Sequence, residues 1–114
     1  MTLKRNPLNL NALQLRTLTI LQELARLPDI AVPDPASGAT TINALPHAHG
    51  DHFHIGDKLV MSRDASGLNN PAVWAALECK GVVKTNFPEN VVLTADGAAY
   101  DTGLREAIFH GHDH

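Results

Sequence analysis

The chain is short of the features that mark most specialised protein classes. It has one cysteine, Cys79, in 114 residues, which excludes an internal disulfide and fits a reducing compartment. No apolar stretch approaches the roughly 18 to 20 residues that span a bilayer. The start, Met-Thr-Leu-Lys-Arg-Asn-Pro, is basic but leads into no apolar run or cleavage site, so no secretory signal is expected. Charge is sparse at 18%, against roughly 25% in ordinary soluble domains, which argues against a disordered chain. Cations are scarcer still. Nine Lys+Arg against twelve Asp+Glu leave a formal charge of -3, a poor balance for neutralising many phosphates. There is no Gly-rich phosphate loop, and Ser37, Ser62 and Ser66 lie in no nucleophile-elbow pattern. At 44% hydrophobic, residues 1–114 suffice for one domain with a real core. A small cytoplasmic protein without membrane partners is the expectation.

What the chain has instead is histidine. Of its seven histidines, four fall within the eight positions from His47 to His54.

Periodicity places helices on either side of that cluster. Leu10, Leu13, Thr17, Ile20, Leu24 and Leu27 recur at helical spacing. Asn9 or Asn11 is available as cap, with Gln14 completing a capping box after Asn11, and Pro28 closes the helix. Residues 33–38 read as a loop. From about 40 to 62 the signals are those of strands and turns, with Gly50-Asp51 and Gly56-Asp57 as two hairpin turns. Asn70-Pro71 starts a second helix that runs through Val73, Trp74, Leu77 and Cys79 to Gly81. Trp74 and Cys79 are expected in its core. Residues 82–85 and 91–94 form two strands around a five-residue loop, and a last helix runs from about Ala95 to Phe109. It carries Tyr100, Leu104, Ala107 and Ile108 on one face.

The segment Asn70 to Tyr100 resembles a winged-helix (winged helix-turn-helix) domain. The run from Pro71 through Lys80-Gly81 looks like the family's second helix-turn-helix helix, the strands after it like the wing, and Leu93-Thr94-Ala95-Asp96-Gly97 like the phrase leading into a C-terminal helix. The likeness extends over about residues 9–109, with the long first helix as opening helix. It departs from the family between Pro28 and Leu68, where Asp64 to Leu68 alone offers a short helix and a His-rich insertion fills about residues 40–62. The resemblance implies an α+β fold: a long N-terminal helix, a His-rich β-hairpin or meander, a helix, a wing hairpin and a C-terminal helix. It also implies transcription regulation through DNA, with Asn70, Lys80 and Lys84 as the contacts. Phosphate contacts fix a DNA reader's register, and so few bases imply weak DNA binding or none. A dimer through the N-terminal helix is the other implied partner. Fold alone decides neither.

The histidines carry the chemistry. With a turn at Gly50-Asp51, His49 faces His52 and His47 faces His54, and period-two alternation puts all four imidazoles on one face. His47, His49, His52 and His54 are therefore candidate ligands for a transition metal such as zinc or nickel, which suit imidazole. The competing register turns at Gly56-Asp57 and pairs Ile55 with Lys58 and Phe53 with Val60. In a three-stranded meander it places Leu59 and Met61 on the histidine face. The alternative is a polar hairpin face that carries histidines and nothing else. His47, His49, Asp51 and His52 also resemble the His-x-His-x-Asp-His motif of the metallo-β-lactamase superfamily, which implies a metal-dependent hydrolase fragment or partner. That fold needs about twice this chain, and a cupin would need a glutamate the motif lacks. His110, His112 and His114 form a second alternating set that reads as a terminus, with the capacity to supplement the hairpin. The leading expectation is a small non-enzymatic regulatory or interaction module, metal-responsive through its hairpin.

Overall fold

A computed structural model describes residues 7–45, 51–86 and 90–111. Helix α1 (Ala12–Leu24) begins where the capping box requires. The Gln14 amide donates to Asn11 Oδ1 at 2.8 Å, and the Asn11 amide donates to Gln14 Oε1 at 2.9 Å, satisfying groups that lack intrahelical partners. Asn9 is not the cap; it takes a left-handed φ of 57°, which asparagine tolerates. The helix ends before Pro28, because the Arg26 and Leu27 amides turn back to the carbonyls of Glu23 and Leu24. From Thr17 to Leu21 every residue is buried. The hydroxyls of Thr17 and Thr19 survive there by donating to the carbonyls of Leu13 and Leu15.

Strands β1 (Ala31–Pro33) and β2 (Thr40–Ile42) flank the expected loop. The sequence reading did not include β1. Pro33 argues against a strand, but β1 is an edge strand, where a missing N–H costs no ladder bond. Strands β3 (His52–Ile55) and β4 (Lys58–Met61) meet at Gly56-Asp57 in the register Phe53 with Val60 and Ile55 with Lys58. Gly56 takes φ 60°, which suits glycine at the turn.

Two 3₁₀ turns, Ser62–Asp64 and Ser66–Asn69, then cross α1. Gly67 is needed there, since a Cβ would lie 2.1 Å from Thr17 Oγ1. Helix α2 (Pro71–Cys79) starts at Asn70, whose Oδ1 accepts the Ala72 amide at 3.0 Å, and Gly81 follows its cap at φ 80°. Trp74 is buried, its indole N–H donating to the Leu68 carbonyl at 3.0 Å. Cys79 is not in the core; it is exposed. Val73, Trp74 and Leu77 form the buried stripe, and residue 79 lies two positions, about 200°, around the helix from Leu77.

Strands β5 (Val83–Asn86) and β6 (Asn90–Leu93) pair as a hairpin. They complete an antiparallel sheet in the order β1-β2-β6-β5. The last helix is not continuous. It is divided into α3 (Ala95–Ala99) and α4 (Arg105–Ile108). Tyr100 is extended (ψ 129°), Gly103 takes φ 71°, and the Gly103 amide bonds Asp101 Oδ1. The break puts Thr102 against α1, where its hydroxyl bonds that of Thr19. Ile108 is buried but Ala107 is exposed, so the single apolar face expected of this segment does not form. A short strand β7 (His110–Gly111) then pairs with β4, giving a second sheet in the order β3-β4-β7.

The fold is thus α+β, with two small antiparallel sheets around one buried cluster. That cluster joins Leu21 and Leu24 to Ile42, Leu93, Ile55 and Trp74. Among the described residues no helix is long and apolar enough to cross a membrane.

Candidate metal centre

Strand β3 sorts its side chains by alternation. Phe53 and Ile55 enter the core, while His54 is exposed and His52 half-buried. Register places Met61 opposite His52 and Leu59 opposite His54. Opposed residues of an antiparallel pair share a face, and both are half-buried, so one side of the imidazole pair is apolar.

The two rings meet. His52 Nε2 and His54 Nε2 are 3.1 Å apart, with ring centroids at 4.8 Å and planes at 85°. Behind them, His52 Nδ1 lies 3.2 Å from Asp51 Oδ1. An ionised carboxylate only accepts, so His52 Nδ1 carries the proton and its Nε2 presents a lone pair. The tautomer in which His54 Nε2–H donates to that lone pair links the three residues by hydrogen bonds. An ion at 2.0–2.1 Å from two nitrogens in tetrahedral array holds them about 3.3–3.4 Å apart. The observed spacing is close to that before any ion enters. A carboxylate on the far nitrogen of a ligating histidine is the usual means of fixing its tautomer and orientation.

Of the four expected ligands, the structure brings His52 and His54 together. His47, His49 and the Gly50 of the expected Gly50-Asp51 turn lie outside the described residues, as do His112 and His114. His110 is placed by β7 at the register position across Leu59 from His54, so the backbone returns His110 to the sheet that holds His52 and His54. Among the described residues there is no group of three or more His, Cys, Asp or Glu that can hold a metal.

The residues expected at DNA are differently placed. Asn70 uses its side-chain oxygen as the α2 cap. Lys80 and Lys84 are exposed, at the end of α2 and on β5. Between them α2 shows solvent Ala72, Ala75, Glu78 and Cys79, a face with one carboxylate and no cation. A dimer through α1 has little to use, because Thr17 to Leu21 are buried in the chain's own core.

Two features had no sequence signal. One is a polar seam around the buried Glu23. Glu23 is 6% exposed and pairs with Arg105, Arg26 stands 3.8 Å from the same oxygen, and Gln22 Nε2 donates to the Gly97 and Tyr100 carbonyls. The other is a cleft of about 320 Å³ between the end of α1 and the β3–β4 turn, lined by Leu24, Leu27, Ile30, Leu45 and His54 among others. No family model matches the chain, and neither a curated protein nor a solved structure matches it.

Proposed function

We propose that this chain is a small non-enzymatic regulatory or protein-interaction module on a winged-helix-like scaffold, and that its histidine hairpin binds a transition metal such as zinc or nickel. The observation that carries the reading is the pair of imidazole nitrogens 3.1 Å apart with Asp51 behind His52. Ligation by both Nε2 atoms leaves each neutral ring its one proton on Nδ1, so the ion takes the place of the hydrogen bond between the rings. His47 and His49 are the further ligands proposed from sequence.

The scaffold reading is supported by α1 and by the β5–β6 hairpin following α2; between α1 and α2, two 3₁₀ turns stand where the family has a helix. The bare α2 face favours a protein contact over DNA. The test is metal analysis of protein purified without immobilised metal, followed by zinc and nickel titration. One ion per chain, lost in the double variant His52→Ala with His54→Ala, is the expected result. Unchanged binding by that variant overturns the reading, and an ion with an open water position that hydrolyses esters or amides favours a hydrolase instead.

A further inference from the structure

The cleft beside His54 has a composition that selects its ligand. Its walls are apolar, from Leu24, Leu27, Ile30 and Leu45 with Ala44, and its volume of about 320 Å³ falls at the small end of ligand sites, about 300–1,000 Å³. Of the residues lining it, Asp29 and His54 have polar side chains, and none is lysine or arginine. A carboxylate-headed ligand would bring its charge to Asp29 without a counter-ion. A neutral alcohol would gain an ordinary hydrogen bond there. An ammonium gains a charge-assisted one, about twice as strong, and the chain's formal charge of -3 attracts it from a distance.

The geometry points to a binding site for a small aryl- or alkyl-amine, its apolar body between α1 and the Ala44–Leu45 segment and its ammonium on Asp29. This site does not depend on the metal reading, although His54 borders both. Ala44 and Asp29 are exposed, so each can be changed without entering the core.

The experiment is a methyl chemical-shift titration of the full chain in chelator with 2-phenylethylamine, 2-phenylethanol and 3-phenylpropanoate. The amine binds about threefold more tightly than the alcohol, as an exposed ion pair allows, the carboxylate more weakly than either, and the shifts fall on Leu27, Ile30 and Leu45. Asp29→Asn removes the preference for the amine over the alcohol, and Ala44→Trp blocks the amine. Carboxylate binding as tight as the amine's, amine affinity unmoved by both substitutions, shifts centred elsewhere, or no binding by any probe overturns the proposal.

Discussion

Among the described residues, two groups of polar contacts are built in opposite ways. One joins α1 to the segment around α3 and α4: Thr19 to Thr102, Gln22 to the Gly97 and Tyr100 carbonyls, and Glu23 to Arg105. Its members are 75 to 83 residues apart in sequence, and Thr19 and Glu23 are buried. The other is Asp51, His52 and His54, one and two residues apart and facing solvent. The first is committed to the fold, because a buried polar group left without its partner is costly. The second has little structural duty. Its imidazoles can exchange a hydrogen bond for a metal ion, and for this reason the metal is proposed there.

Substitutions that separate these roles test the comparison. The largest effect is expected where the α3 backbone meets the hairpin. A Cβ at Gly97 would lie 2.1 Å from the Val82 carbonyl oxygen, so Gly97→Ala is expected to cost about 3 kcal/mol, the upper end of overpacking, measured by urea denaturation. Next is the metal. Zinc at one hundred times its dissociation constant should stabilise the wild type by about 2.7 kcal/mol and leave the His52→Ala, His54→Ala variant unmoved in a thermal melt. The increment should shrink on acidification, because ligation requires neutral imidazole. Glu23→Ala should cost about 2 kcal/mol, less than the 3–5 of a fully buried pair, because Arg105 is 46% exposed and recovers water.

Without metal, the same double histidine substitution should cost under about 0.5 kcal/mol, as surface changes do; a loss comparable to that of Glu23→Ala would erase the contrast between the two groups. The smallest effect is expected at DNA. Binding should be weak and steeply salt-dependent, and Lys80→Ala or Lys84→Ala should lower it further by counter-ion release. Tight binding at physiological salt in both variants would make α2 a reader after all.

Part of the second group was legible in advance, and almost none of the first. Alternation put His52 and His54 on one face of β3, and the register read as the competitor, turning at Gly56-Asp57 with Phe53 opposite Val60 and Ile55 opposite Lys58, is the one that forms. Periodicity also contained the position of Cys79, opposite the Val73, Trp74 and Leu77 stripe; its apolar neighbours led to the contrary expectation. The continuous helix from Ala95 to Phe109 failed for a different reason. Its propensity favoured a helix, but the break at Tyr100 to Gly103 gives Gln22 and Thr19 their partners.

By itself, then, the sequence determined what is decided within a few residues. These are the capping box at Asn11, the Asn70-Pro71 start, the left-handed glycines at turns and the alternation that puts His52 and His54 on one face. Local hydrogen-bond geometry and side-chain period act on any chain carrying those residues. Tertiary structure alone decided the β1 edge strand, the divided last helix, the return of β7 to β4, the Glu23–Arg105 pair and the cleft at His54. Each depends on segments that meet only when their apolar faces are buried together, and many pairings of a chain this long would satisfy its local preferences equally well.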